Sequence, residues 1–114
     1  MIRDLMISVA IALGTIAAAW HFWPEAQRMP EMSFQLTDGR TLSSSELRGR
    51  SVLLNFWSVS CEVCLRDIPT LTRLHEGLAA ENFTVLAVAA AYDPPPTVIS
   101  TIERLQPGYP VALD

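Results

Sequence analysis

The stretch that decides the fold is residues 51–69, SVLLNFWSVSCEVCLRDIP. It opens with an almost continuous apolar run, Ser51–Trp57, which is typical of a β-strand buried on both faces. After Cys61-Glu62-Val63-Cys64, leucine and isoleucine recur at spacings of three and four residues, which predicts a helix over residues 62–80. Pro69 falls inside this helix, and we expect it to kink the helix axis. A buried strand leading into a helix is the first half of a βαβ unit.

The flanking segments extend this unit into alternating strands and helices. Upstream, the pattern predicts a strand at 33–36, a turn at 37–40 and a helix start or tight turn at 43–45. Downstream, it predicts a strand at 84–91, a helix at 98–105 and a strand at 109–113. This order indicates an α/β fold with parallel βαβαβ units joined by right-handed crossovers.

Composition excludes several classes of protein. The chain has 114 residues, which is enough for one small domain. Half the residues are hydrophobic and 18% are charged, which excludes a disordered, highly charged chain. The net charge of −4 argues against a nucleic-acid partner. All eight basic residues are Arg, so a lysine Schiff base and a Walker-type phosphate loop are both excluded.

The N-terminal segment is a candidate membrane helix. Residues 5–23 contain no Asp, Glu, Lys or Arg and end in Trp20, Phe22 and Trp23, aromatic residues that suit a membrane interface. A helix of this length spans about 28 Å, close to the ~30 Å hydrocarbon core of a bilayer. We therefore divide the chain into an anchor or signal segment at 1–23, a linker at 24–32 and a domain at 33–114.

Three interpretations of this segment compete. Its length and aromatic end favour a membrane anchor, whereas Ala17-Ala18-Ala19 also fits a signal peptide cleaved after Ala19. A buried core helix is the third interpretation, but it would need a larger domain around it. Arg3 precedes the apolar run, which slightly favours an N-terminus inside and a domain outside the cytoplasm.

Cys61 and Cys64 are the candidate catalytic residues. A thiol at a helix N-terminus faces unpaired backbone N–H groups and the positive end of the helix dipole, which favour the thiolate. The thiolate is the attacking species in disulfide exchange. We expect Cys61 to be the exposed nucleophile and Cys64, one helical turn further on, to be the buried resolving thiol.

Other interpretations of the two cysteines remain open. A zinc site needs about four ligands, but only His21 and His75 remain as soft ligands and His21 lies in the apolar segment. A staple across so short a loop would add little stability. Two inert buried thiols are also possible. The position of the Cys-x-x-Cys in a βαβ context favours the redox pair.

Residues 52–69 resemble the thioredoxin superfamily, and look most like its membrane-anchored TlpA/ResA-like branch. The shared features are Phe56-Trp57 at the end of a strand, the Cys-x-x-Cys and Pro69 in the helix that follows. The resemblance implies a membrane-tethered periplasmic protein-disulfide oxidoreductase that uses no cofactor and no metal. Its partners would be disulfide-bearing proteins, for example in cytochrome c maturation, and a membrane electron donor that reduces it again.

The sequence departs from the pattern of that branch at several positions. Ser60 stands where Trp is usual, and Val63 replaces Pro between the cysteines. Asn55 departs from thioredoxins proper, which carry a buried Asp there, whereas TlpA-like proteins often have Asn. We regard Asn55, Trp57 and Glu62 as possible modulators: Asn55 removes a candidate base, Trp57 is expected in the core, and the charge of Glu62 opposes a thiolate at Cys61.

The family pattern also continues beyond Asp114, with a helix, a cis-proline loop, a β-hairpin and a last helix. We therefore expect the chain to be the front part of a thioredoxin-like domain, with an unpaired strand edge and exposed apolar surface. The alternative function is a redox-silent, truncated thioredoxin-like module that serves in binding or structure.

Overall fold

The computed structural model describes residues 1–22 and 29–114. Helix α1, Ile2–His21, is long enough and apolar enough to cross a membrane, with a mean hydropathy of 1.7. None of its residues is buried, so the interpretation as a buried core helix is wrong. Trp23 and positions 24–28 of the predicted linker lie outside the described residues.

The remainder forms one five-stranded sheet of mixed direction with two helices. The strands are β1 (Ser33–Leu36), β2 (Thr41–Ser43), β3 (Ser51–Trp57), β4 (Phe83–Ala89) and β5 (Val111–Leu113), and the helices are α2 (Glu62–Gly77) and α3 (Pro95–Leu105). The strand order is β2-β1-β5-β4-β3. Strands β3, β4 and β5 are parallel, and β1 pairs antiparallel with both β2 and β5. The predicted α/β class and its βαβαβ core are confirmed.

The two parallel crossovers place both helices on one face of the sheet. The chain moves in a single direction from β3 to β4 to β5, and right-handed crossovers that move in one direction fall on the same side. Ile68 of α2 and Val98 of α3 accordingly share one core with strand residues. The buried members of this main core are Trp57, Ile68, Val85, Ala87, Ala89, Val98, Tyr109 and Val111.

The opposite face of the sheet is only partly covered. A smaller core there contains Leu36, Leu47, Leu86, Val88 and Ala112. Next to it, β3 leaves Val52, Leu54 and Phe56 exposed by 37%, 39% and 67%. The expectation that β3 is buried on both faces is therefore wrong. Among the described residues β3 pairs only with β4, and one of its faces lacks a covering layer. The expected unpaired edge and exposed apolar surface are both present.

The bounds of several elements differ from those predicted. Strand β1 is as predicted, but β2 was not foreseen. Helix α2 contains Pro69 as expected and ends at Gly77; a 3₁₀ turn follows at Ala79–Glu81, and Asn82 then adopts a left-handed conformation with φ 56°. Helix α3 begins at Pro95 rather than at 98, because proline fits the first turn of a helix.

Candidate active site

The two cysteines form a disulfide bond at the N-terminus of α2. The S–S distance is 2.02 Å and the Cα atoms are 5.2 Å apart. Cys61 is the N-cap residue of the helix, with φ −89° and ψ 94°, and Cys64 lies in its first turn. The strand-to-helix junction predicted from the sequence thus brings the two sulfur atoms together.

The sulfur of Cys61 takes part in capping the helix. Its Sγ atom accepts a hydrogen bond from the backbone N–H of Cys64 at 3.3 Å. A free helix N–H of this kind stabilises a negative charge on the sulfur more than a neutral thiol. The contact therefore favours the thiolate of Cys61 when the pair is reduced.

The exposure of the two cysteines differs less than expected. Both residues are half-buried, so the prediction of an exposed Cys61 and a buried Cys64 is wrong in that simple form. The difference lies in their neighbours: Cys64 packs against the main core. Its position in the first turn, facing the core, accounts for this packing.

The loop between β3 and α2 is held by a dense set of hydrogen bonds. The N–H of Cys61 donates to the carbonyl of Ser58 at 3.0 Å, and the N–H of Ser60 donates to the Ser58 hydroxyl at 3.2 Å. Asp93, on the loop between β4 and α3, accepts from the Ser58 hydroxyl at 3.1 Å and from the Val59 N–H at 2.8 Å. Asp93 was not among the predicted site residues, although an acidic residue before three prolines indicates a loop at the same edge of the sheet.

The three predicted modulators lie in different environments. Glu62 is exposed in the first turn of α2, adjacent to Cys61. Trp57 is only 5% exposed and belongs to the main core, as expected. Its indole Nε1 has no hydrogen-bond partner among the described residues. Asn55 is half-buried and pairs with Ala87 of β4. Of the three, Glu62 alone adjoins the disulfide in the chain.

The two histidines lie in the last turns of α1 and α2, whereas the cysteines lie at the start of α2. His21 is the last residue of α1. His75 lies in the last turn of α2, where its Nδ1 accepts a hydrogen bond from the N–H of Val85 at 3.0 Å. Within residues 1–22 and 29–114, no three His, Cys, Asp or Glu side chains are grouped so that they could hold a metal ion.

Three of the described ionisable groups, all outside the site, have shifted pKa values; one is Arg40, whose pKa is raised by its hydrogen bond to Asp38. The hydrogen bond from the Arg40 guanidinium lowers the pKa of the exposed Asp38 carboxyl. Burial raises the pKa of the Tyr109 phenol to about 12. Tyr109 belongs to the main core, so its ionisation bears on stability rather than on disulfide exchange.

Comparison with known proteins gives consistent matches. The family model described as Redoxin matches residues 24–114. The thiol-disulfide oxidoreductase ResA of Halalkalibacterium halodurans is 31% identical over 85 residues, which are 73% of this chain and 48% of that protein. The thioredoxin-like protein YneN of Bacillus subtilis is 33% identical over 64 residues, which are 56% of this chain and 37% of that protein. The chain thus spans about half the length, or less, of the curated relatives it matches.

Solved structures share the fold. The solution structure of a thioredoxin from Neisseria meningitidis superimposes with a TM-score of 0.67 at 32% identity, covering 75% of this chain and 57% of that one. The crystal structure of a thiol:disulfide interchange protein DsbE from Chlorobium tepidum gives a TM-score of 0.70 at 22% identity, covering 80% of this chain and 63% of that one. The second likeness supports the thioredoxin-like fold alone.

Proposed function

Because the chain belongs to the redoxin family, we propose that it is a membrane-tethered protein-disulfide oxidoreductase that acts outside the cytoplasm through Cys61 and Cys64. The observation that carries the proposal is the disulfide at the N-terminus of α2, where the Cys61 sulfur accepts the Cys64 N–H. This arrangement supplies an activated sulfur and a second sulfur within bonding distance of it.

The reaction begins with the reduced pair. The thiolate of Cys61 attacks one sulfur of a partner disulfide, forming a Cys61–partner bond and releasing the other partner sulfur as a thiolate that takes up a proton. The thiolate of Cys64 then attacks the Cys61 sulfur of this mixed disulfide. The second partner sulfur leaves, and the Cys61–Cys64 disulfide remains. Two electrons pass to the partner, and the oxidised pair is the form seen in the structure.

The assignment of Cys61 as the nucleophile rests on its position. It is the N-cap residue, and its sulfur accepts a hydrogen bond from the Cys64 N–H in the first turn of the helix. Cys64 is packed against the main core and is less available to a large partner. It remains well placed to attack a neighbour that is one helical turn away.

The proposed location rests on α1. This helix has the length and hydropathy of a single membrane span, and none of its residues is buried. We propose that positions 1–23 anchor the chain, that 24–32 form a linker and that 33–114 form the redox domain on the periplasmic side. Cleavage after Ala19 would instead release the domain, and the mass of the mature N-terminus distinguishes the two cases.

The partners are proposed from the resemblance to the TlpA/ResA-like branch. We propose that the chain reduces disulfides in extracytoplasmic proteins, such as apocytochromes c, and that a membrane dithiol donor reduces it again. The electrons are carried by the two sulfurs, so the proposed reaction requires no organic cofactor and no metal.

A trapping experiment on the full chain in membranes tests the function. A C64S variant is expected to accumulate a mixed disulfide with a disulfide-bearing model protein such as insulin, because the resolving thiol is lost. The matched C61S variant is expected to accumulate none. The wild-type chain, supplied with dithiothreitol, should reduce insulin faster than dithiothreitol alone. Absence of both trapping and turnover would favour the redox-silent binding module.

A further inference from the structure

Asp93 is a buried acid that the proposed reaction does not use. It lies on the loop between β4 and α3 and is 8% exposed. Its carboxylate contacts the loop before Cys61 twice, through the Ser58 hydroxyl at 3.1 Å and the Val59 N–H at 2.8 Å. Because this buried carboxylate accepts two hydrogen bonds from the same loop, it fixes the position of that loop.

These contacts also fix the direction of a chain of hydroxyl groups. A carboxylate only accepts hydrogen bonds, so the single proton of the Ser58 hydroxyl is donated to Asp93. The Ser58 and Ser60 hydroxyl oxygens are 2.9 Å apart. Because the Ser58 proton is already committed, Ser60 must be the donor to Ser58. The Ser60 proton, one residue before Cys61, is thereby committed to Ser58.

We propose that Asp93 is a positioning residue of the redox site that holds the Ser58–Cys61 turn and keeps the Cys61 thiolate less stable than a neutral side chain would. Two effects act together. The negative charge of Asp93 opposes a second negative charge nearby. The Ser60 hydroxyl donates to Ser58 and makes no hydrogen bond to the Cys61 sulfur among the described residues. The proposal rests on the proposed function, since it concerns the same pair of cysteines.

A less stable thiolate makes the pair a stronger reductant. Stabilising the reduced form of a dithiol raises its reduction potential, so destabilising the thiolate lowers it. Asp93 would therefore bias the site toward donating electrons. The TlpA/ResA-like pattern has Trp at the position of Ser60, so the hydroxyl chain depends on the residues of this particular sequence.

Other charged groups near the site differ from Asp93 in exposure. On α2, Glu62 and Arg66 are both exposed, and their effect on Cys61 is screened by solvent and salt. Tyr92 adjoins Asp93 on the opposing loop and is 76% exposed. Strand β3 and residues 58–60 contain no side chain that titrates near neutral pH. Unlike Glu62 and Arg66, Asp93 is a buried charge.

The test compares Asp93→Asn with wild type in the full chain in detergent. The Asn oxygen still accepts from the Val59 N–H, while its NH₂ group donates to Ser58 and frees the Ser60 proton. In a C64S background, the rate of Cys61 alkylation by iodoacetamide is followed against pH. We expect the midpoint to fall by about one pH unit, a tenfold change in proton affinity.

The redox equilibrium of the intact pair gives a second readout. With both cysteines present, and at a pH above the alkylation midpoint of both proteins, D93N should favour the reduced form about tenfold in a dithiothreitol buffer, which is about 30 mV for this two-electron couple. Asp93→Glu, which keeps the charge, should stay close to wild type. Ser58→Ala breaks the hydroxyl chain but keeps the charge, and should shift both readouts in the same direction by a smaller amount. If D93N does not fold, Ser58→Ala tests the proposal by the same two measurements.

Thr101→Val is the matched control. Thr101 is 7% exposed on α3 and donates to the Thr97 carbonyl at 2.8 Å, so the change removes a buried hydrogen bond away from the cysteines. It should lower the urea midpoint and leave both redox readouts unchanged. Unchanged readouts in D93N and S58A, or equal shifts in T101V, would overturn the proposal. The alkylation midpoint needs no partner protein, so this failure is separable from failure to reduce insulin.

Discussion

The Nδ1 atom of His75 accepts a hydrogen bond from the backbone N–H of Val85, which ties the last turn of α2 to strand β4. Val85 is fully buried, and its N–H lies where β5 does not reach, since β5 pairs with β4 only at Ala87 and Val88. The imidazole also meets the ring of Tyr109 edge-on, with centroids 6.3 Å apart. A side chain therefore supplies the acceptor that a neighbouring strand would otherwise provide.

Replacing His75 by Leu should destabilise the domain. The substitution leaves the buried Val85 N–H without a partner, which costs about 1–3 kcal/mol of the free energy of unfolding. Urea denaturation followed by circular dichroism measures the loss. Arg73→Ala is the control on the same helix, because the side-chain hydrogen bond of Arg73 in the described part of the chain goes to the exposed Thr70 hydroxyl. A loss as large in R73A as in H75L would contradict the role of the hydrogen bond.

Two glycines should respond to alanine in opposite ways. A Cβ at Gly108 would lie 2.8 Å from Thr72 Cγ2 and 2.9 Å from Glu76 Oε1, so Gly108→Ala should destabilise the domain by about 1–3 kcal/mol. Gly77 ends α2, and a Cβ there meets nothing within 4 Å. Gly77→Ala should stabilise the helix by up to about 1 kcal/mol. Thermal midpoints measured in one buffer should lie below that of wild type for G108A and above it for G77A.

The exposed face of β3 should bind hydrophobic probes. Phe56 is 67% exposed and borders a groove of about 330 Å³ with Leu54, Val88 and Leu113. Phe56→Ser should reduce the fluorescence of a hydrophobic dye bound to chains in lipid nanodiscs, after subtraction of empty discs. The free energy of unfolding should change by less than about 0.5 kcal/mol, since Phe56 is already largely exposed.

Tyr92→Ser is the control for the dye experiment. Tyr92 is also an exposed aromatic residue, at 76%, but it is not among the residues that line the groove. Its substitution should leave dye binding unchanged. An equal loss in both variants would mean that the dye responds to exposed aromatic rings in general and not to the β3 face.

The burial of Tyr109 predicts a loss of stability in alkali. Its pKa is raised from the ordinary value of 10.0 to about 12, so the unfolded chain ionises at lower pH than the folded one. Below about pH 10 the phenol is protonated in both the folded and the unfolded state, so Tyr109 adds no pH dependence to the free energy of unfolding. Between pH 10 and 12 the unfolded state loses the proton first, and the free energy of unfolding falls. Tyr109→Phe should remove this part of the pH dependence, and an unchanged slope would contradict it.

Glu62→Gln should make Cys61 more reactive. The exposed carboxylate next to Cys61 opposes the thiolate, so its removal should increase the alkylation rate below the thiol pKa by roughly two- to threefold at low salt. Asp67→Asn is the control, because Asp67 is exposed on the same helix but more than one turn from Cys61. The difference between E62Q and wild type should shrink at high salt, and persistence of the full effect there would contradict a screened surface charge.

The local unit was predictable because its signals are contiguous. The apolar run, the Cys-x-x-Cys and the periodic leucines lie within one stretch of chain, and each specifies its own local structure. Strand β2 was missed because its three residues are too few for a pattern. The burial of β3 was predicted wrongly, because apolar side chains such as Leu54 show what a strand prefers to contact and not whether a covering element is present.

The contacts that hold the site were not predictable for a different reason. Asp93 reaches Ser58 and Val59 from a loop that is distant in the sequence, and the pairing appears only when parallel strands bring their carboxyl ends together. The sequence pointed to His75 only as a soft ligand for a metal site that lacked partners, yet its Nδ1 accepts a hydrogen bond from a strand N–H. Both are polar residues whose partners are set by topology.

The pairing of β1 with β5 has a consequence for the order of assembly. Gln35 lies opposite Leu113, so β1 is joined to a strand that leaves the ribosome only after β2, β3 and β4. The hairpin of β1 and β2 can close early, but it cannot dock until Val111–Leu113 has emerged and joined β4. Closing so large a loop is slow. During that interval, one edge of the β1–β2 hairpin stays unpaired until β5 is in place.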